Sequence, residues 1–327
     1  MPARTIAVVG ATGNQASGTV SALLAQTDFA VRAVSSNPTG HKARALLAQH
    51  KDSAHVGRLT MVKCNLDDPG ELRKALEDAY GVFAAMPMGT AEREGEAIEV
   101  TQGKALVDAC KADGVEHLVY SSLPSVDKIS DGKYKHVTHA ESKAIVSEYA
   151  QSQLPCVTIL YPGMFYSNFH WPTFAQRDQD NSVRFCAPLK PDTPIQCVDD
   201  RYDVGNFAAA VFSAGPAITR GKTYPVQTPV TTPKELAHDY HLATGEPTRF
   251  DPLPLDEAVA MMVRGQEDGE GREEFTQMFQ FIADGVDGKA SFSAGLEHDA
   301  SLEDLGVRGS DSRSFLERSG FRVGQKG

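Results

Sequence analysis

Apolar and polar positions alternate in blocks through the first half of the chain. Short runs rich in β-branched residues occur at Ile6–Val9, Ala30–Val34, Met61–Cys64, Val82–Ala85, His117–Ser121 and Cys156–Tyr161. Longer amphipathic stretches lie between them, over Asn14–Gln26, Gly40–His50, Pro69–Glu77, Glu92–Asp113 and Val137–Gln151. Runs of four to six apolar residues bounded by turn signals read as strands buried on both faces, and the longer stretches as the helices that cover them. Asp67-Asp68-Pro69 reads as a helix N-cap followed by proline in the first turn, and Gly114 as a helix C-terminal cap. Strand and helix alternating in this way predict an α/β fold with a doubly wound parallel sheet. Ligands of such sheets bind at the carboxyl ends of the strands. The residues expected to face a ligand are therefore Gly10, Ser35-Ser36, Asn65-Leu66-Asp67, Ala85-Met86-Pro87, Ser121-Ser122 and Tyr161-Pro162-Gly163.

The alternation breaks down after residue 163, where aromatics and prolines crowd in: Phe165, Tyr166, Phe169, His170, Trp171 and Phe174. This divides the chain into a dinucleotide-binding domain over 1–163 and a smaller substrate-covering α/β region over 164–327, partly threaded back through the first. The charged, glycine-containing stretch Gln266–Arg272 reads as exposed. Phe275, Met278, Phe279 and Ile282 recur at helical spacing within Glu273–Ile282, a stripe that reads as packing rather than as a cofactor box.

The first candidate chemistry lies at the first turn. Thr5-Ile-Ala-Val-Val9 ends at Gly10, glycine returns at Gly13, and the third small position is Ala16. Gly10 permits the tight turn out of the strand, and Gly13 lets the backbone approach a pyrophosphate seated on the positive end of the following helix. A glycine pattern alone is weak, but strand before and helix after make it a Rossmann opening. Thr12, Asn14 and Gln15 fall in the same loop and become candidate cofactor contacts. The chain is 327 residues long, 41% apolar, with a net charge of −11. It is long enough to bury a large core, and its charge argues against a nucleic-acid-binding surface. Cys64, Cys110, Cys156, Cys186 and Cys197 show no metal-ligand spacing, so no metal site is expected. No apolar stretch reaches the roughly 18 residues that a membrane helix needs. The immediate entry into a strand leaves no room for a signal peptide, and the expected compartment is the reducing cytoplasm.

These motifs together resemble the NmrA-like branch of the atypical short-chain dehydrogenases/reductases. The resemblance rests on Gly10-Ala-Thr-Gly13-Asn-Gln, on Val31-Arg-Ala-Val34 followed by Asn37-Pro38, and on Asn65-Leu-Asp-Asp68. It continues through Val119-Tyr-Ser-Ser-Leu-Pro124, His139-Ala-Glu-Ser-Lys143, Tyr161-Pro-Gly-Met-Phe165-Tyr-Ser-Asn168 and Met278-Phe-Gln-Phe281. It implies a Rossmann fold with a small C-terminal substrate region. The family includes NADP(H)-dependent reductases, and also proteins that bind dinucleotides as redox sensors and regulate a protein partner.

Ordinary short-chain dehydrogenases work through Tyr-x-x-x-Lys with a serine upstream. The spacing places tyrosine and lysine on one helix face, where the lysine holds the nicotinamide ribose and lowers the tyrosine pKa. In this chain Lys143 and Ser121-Ser122 are present, but the position four before Lys143 is His139. Tyr134, nine residues away, would lie about 13 Å along a continuous helix and cannot stand in by spacing. The candidate catalytic residues are therefore Lys143, His139 or a water as proton donor, Ser122, and Tyr166 with His170 as further candidates. The competing expectation makes His139 a packing residue of a site that binds without turnover.

Cofactor choice is read at the end of the second strand. Ser35-Ser36-Asn37 carries no acid to grip a ribose diol, and His41, Lys42 and Arg44 follow, which favours NADP(H) through its 2′-phosphate. The family often has arginine at the position of Ser36, and here the chain departs from it. The leading reading is an NADP(H)-dependent oxidoreductase acting on a small carbonyl, enone or quinone-like substrate. The alternatives are a dinucleotide-sensing regulator with a protein partner, and a dehydratase or lyase using the dinucleotide as scaffold.

Overall fold

In the computed structural model, residues 3–87, 93–227, 229–263, 270–285, 296 and 298–325 are described. The central sheet has seven strands, all parallel, in the order β11-β6-β5-β4-β1-β2-β3. They are β1 (Thr5–Val9), β2 (Ala30–Ser35), β3 (Leu59–Lys63), β4 (Gly81–Ala84), β5 (His117–Ser121), β6 (Val157–Pro162) and β11 (Thr223–Val226). The expected strands are present with boundaries shifted by a residue or two. β11 is the addition, laid beside β6 in the register Tyr224↔Leu160.

Alternating side chains of β1 divide the core. Ile6 and Val8 point to a cluster under α1 (Asn14–Gln26) and α8 (Tyr202–Ala214); Ala7 and Val9 point to one under α4 (Pro69–Leu76), α5 (Arg93–Ala112) and α7 (Thr138–Gln153). The smaller helices of this half are α2 (His41–Gln49), α3 (Lys51–His55) and α6 (Val126–Ile129). Asp68 caps α4 as expected, accepting from the N–H groups of Gly70 and Glu71 at 2.8 and 3.1 Å, with Pro69 in the first turn.

Helices α1 and α8 meet backbone to backbone. A Cβ on Gly18 would lie 1.7 Å from the Arg201 carbonyl oxygen, and one on Gly205 would lie 2.5 Å from the Gly18 carbonyl oxygen. Only glycine allows that approach, and it draws α8 under the sheet.

The C-terminal part builds two small sheets. β7 (Met164–Phe165) pairs with β10 (Cys197–Val198), and β9 (Val183–Ala187) lies between β8 (Ala175–Arg177) and β12 (Thr248–Pro252). Around them pack α10 (Pro233–Thr244), α11 (Leu255–Val263), α12 (Glu270–Asp284) and α14 (Ser312–Ser319), while α9 (Pro216–Thr219) and α13 (Ser301–Leu305) pack against α8 beside the central sheet. In α12, Phe279 and Ile282 enter the core of this part, while Phe281 joins Val126, Tyr134, Val137 and Ala140 beside α7. Phe275 and Met278 are half-buried against the same groups, so the stripe is packing as expected. Of Gln266–Arg272, expected to be exposed, residues 266–269 lie outside the described residues, while Gly271 is buried and Arg272 half-buried. All five cysteines are buried, and none forms a disulfide. Among the described residues no helix is long and apolar enough to cross a membrane.

Candidate functional site

The carboxyl ends of the strands form one edge. The turn after β1 is closed by the Gly13 N–H donating to the Gly10 carbonyl at 2.8 Å, and Gly10 holds φ at +70°, which favours glycine. Thr12 is half-buried in this turn, and Gly13 and Asn14 are exposed. Gly13 is the N-cap of α1 and has no side chain to offer, and the first turn carries no acid. The first N–H groups of α1 are therefore uncapped beside a solvent-facing turn, the arrangement that receives an anion.

Gln15 reaches across the edge: the Ser121 hydroxyl at the end of β5 donates to its Oε1 at 2.6 Å. Asn14 turns the other way and donates to Asp200 Oδ2 at 2.9 Å. Burial pushes the Asp200 carboxyl up, against the hydrogen bonds from Asn14 and Ser167. At the end of β2, Ser36 and Asn37 are exposed, as are His41, Lys42 and Arg44 on the first turns of α2. Arg44 donates to the Thr39 carbonyl at 2.5 Å; Asn37 N–H donates to the Ser35 hydroxyl at 3.2 Å. At the end of β3, Asn65 is exposed and folds into a local turn, its Oδ1 accepting from the Asp67 N–H at 3.2 Å. Leu66 and Met86 direct their side chains into the core under α4 and α5, while Pro87 is exposed. Tyr161 is half-buried on the same side, and burial pushes its phenol up. The Gly163 N–H donates to the Val226 carbonyl at 3.0 Å, extending the β6–β11 pairing.

Helix α7 begins beside this edge and carries the charged groups. His139 and Lys143 are one turn apart, and each meets a buried carboxylate from another helix. Lys143 Nζ lies 2.5 Å from Glu99 Oε1 of α5, and the Ser142 hydroxyl donates to Glu99 Oε2 at 2.8 Å. His139 Nδ1 lies 2.5 Å from Glu274 Oε1 of α12. Both carboxylates are 2% exposed, against 14% for Lys143 and 18% for His139, so the cation and the imidazole are the members that reach solvent. Burial raises the Glu274 carboxyl, but His139 and Thr138 outweigh it and hold it below the usual carboxylate range. Tyr120, beneath, is pushed up by burial and by the Glu99 charge.

Two expected catalytic hydroxyls are not presented to the edge. Ser122 is fully buried between the sheet and α7, where the Ser147 hydroxyl donates to it at 2.7 Å. The strand alternation that turns Ser121 toward Gln15 turns Ser122 inward. Tyr166 is 1% exposed and stacks on Phe315 with ring centroids 4.6 Å apart, so its ring packs the C-terminal core. His170 is exposed, edge-on to Phe321. Tyr134 precedes α7 and donates to Asp284 Oδ2 at 2.5 Å, which takes it out of the lysine's reach. Sequence reasoning missed Glu99 and Glu274. The one signal for either was a carboxylate on a helical stripe, which most surface helices share. A cleft of about 1120 Å³ runs along α1 beside Arg201 and Arg318; Asn14, His170 and Asp200 line it, while neither His139 nor Lys143 does.

A parallel sheet in this order, with a glycine turn and an uncapped helix at its carboxyl edge, defines a Rossmann-type α/β protein. The chain belongs to the NmrA-like family, whose model matches residues 2–305. It is 28% identical over 272 residues to an NmrA-like family domain-containing oxidoreductase, FrzB, of a Cladobotryum species, covering 77% of each chain. It is 28% identical over 258 residues to the nitrogen metabolite repression protein nmrA of Emericella nidulans, covering 77% of this chain and 68% of that one. The crystal structure of NmrA, a negative transcriptional regulator, in complex with NADP superposes with a TM-score of 0.69 at 21% identity, over 97% of this chain and 95% of that one.

Proposed function

We propose that the protein is an NADP(H)-dependent oxidoreductase acting on a small carbonyl, enone or quinone-like substrate. The observation that carries this reading is the pair on α7: a lysine and a histidine one turn apart, each held by a carboxylate that is 2% exposed. Burying a carboxylate is costly unless it is paired, and in each pair the member that reaches solvent is the one that could act on a ligand. Gly10, Thr12, Gly13, Asn14 and Gln15 would hold the pyrophosphate, with Ser36, Asn37 and Lys42 at the adenosine ribose and its 2′-phosphate. Asn65, Leu66, Met86, Pro87, Ser121, Tyr161 and Gly163 would line the path to the nicotinamide. The dinucleotide, when bound, supplies the hydride. Lys143 has three donors and spends one on Glu99, leaving two for ribose hydroxyls. His139, with Nδ1 on Glu274, has Nε2 to give a proton to the substrate oxygen.

The second reading is a dinucleotide sensor acting through a protein partner. It is favoured by His139 standing where ordinary short-chain dehydrogenases have their tyrosine, and by the regulator among the relatives. One experiment separates the two: following NADPH absorbance with naphthoquinone, cyclohexenone and benzaldehyde. Turnover of at least one above background is expected, with NADPH preferred over NADH by at least about tenfold, since a charge-assisted phosphate contact is worth about 1.5 kcal/mol or more. Lys143→Ala should lower the rate by about tenfold or more; because it leaves the Glu99 carboxylate buried without its cation, it should also cost about 3 kcal/mol of stability, so rate and cofactor binding are compared where the variant is folded. No turnover, with cofactor binding that falls in Lys143→Ala, would favour the sensor.

A further inference from the structure

We infer that Glu274 is a positioning residue for His139, so that the proton-handling group of the edge is assembled from both halves of the chain. This rests on the reading of His139 as proton donor. Glu274 Oε1 takes two hydrogen bonds from one residue, the His139 backbone N–H at 3.1 Å and its ring Nδ1 at 2.5 Å. That double contact fixes the ring relative to the helix that carries it. An ionised carboxylate only accepts, so Nδ1 must carry the hydrogen. Neutral His139 then has its lone pair on Nε2, and protonated His139 has an N–H there to donate.

The surroundings hold α12 in place for this task. Gln277 Oε1 accepts from the His136 N–H at 2.9 Å, and Asp284 accepts from the Tyr134 hydroxyl at 2.5 Å. Phe281 meets the Tyr134 ring edge-on at 6.0 Å. Glu274 thus sits in the first half of a helix that is tied down along the turns that follow it. Its carboxyl is itself held in the charged form by His139 and Thr138 against the effect of burial.

The competing explanation is structural. Val137, the N-cap of α7, has no capping side chain, and Glu274 supplies a cap from another helix. Glu274→Gln separates the two, because its amide oxygen still accepts from the His139 N–H while the negative charge behind Nδ1 is gone. The first measurement is the His139 tautomer in the whole wild-type protein, by long-range proton–nitrogen correlation at pH 8, with the signal assigned by its loss in His139→Gln. The Nδ1–H form is expected, and the Nε2–H form would overturn the inference whatever the turnover. The second is the rate with NADPH and the fastest substrate of the panel. Glu274→Gln should lower kcat by about tenfold, toward the level of His139→Gln, with KM for NADPH and the unfolding midpoint unchanged. An unchanged kcat would leave Glu274 a cap and sink the proposed role. Absence of wild-type turnover would sink the reductase reading and the catalytic role built on it, while the tautomer would still report whether the contact exists.

Discussion

His117 shows how far burial alone can move one side chain. It is fully buried at the start of β5, its Nε2 2.9 Å from the Thr158 hydroxyl, and Nδ1 has no partner among the described residues. Burial lowers its pKa from 6.5 to about 4. The unfolded chain therefore takes a proton at His117 below pH 6.5 while the folded one does not until about pH 4. Its contribution is whole above pH 6.5 and drains away as the pH falls toward 4, by about 1.4 kcal/mol per unit and about 3 kcal/mol in total. Urea unfolding at pH 7 and pH 5 should show a steeper loss in the wild type than in His117→Gln. Parallel losses would mean that the ring is charged inside the fold. At this scale the sequence was legible where backbone geometry dictates the residue, as at Gly10, and illegible where a partner comes from afar. Nothing around Lys143 or His139 points to Glu99 or Glu274, which lie 44 and 135 residues away.

Among the elements, α1 and α8 depend on each other most directly. Their glycines let one helix's carbonyl oxygens touch the other's backbone, and any side chain there would meet main chain rather than a flexible tip. Gly205→Ala should force the helices apart, cost about 2 kcal/mol or more in chemical denaturation, and weaken dinucleotide binding by tilting the first turn of α1. Unchanged stability would show that the contact is looser than described. Helix caps and the first six strands could be read from the chain because Asp68-Pro69 and the β-branched runs each have a local cause. β11 could not. Its four residues include Pro225, which a strand tolerates because β11 is the sheet's edge, a position that only the fold reveals.

For the molecule as a whole, the sheet and its cover draw on both sides of residue 163. β11 closes the β6 edge, and Phe207 and Phe212 of α8, each 1% exposed, fill the core under β1. A fragment ending at Gly163 would leave β6 an open edge and that face of α1 bare, so it should express as aggregate. A soluble, cooperatively folding fragment would show instead that the first 163 residues carry their own core.

The pairing of His139 with Glu274 also sets a clock on biogenesis. The 135 residues between them take roughly 7–27 s to make at about 5–20 residues per second. Throughout that interval the start of α7 has no cap and the imidazole has no carboxylate behind it. The start of α7 therefore waits, in every round of synthesis, for a helix from the later part of the chain to emerge.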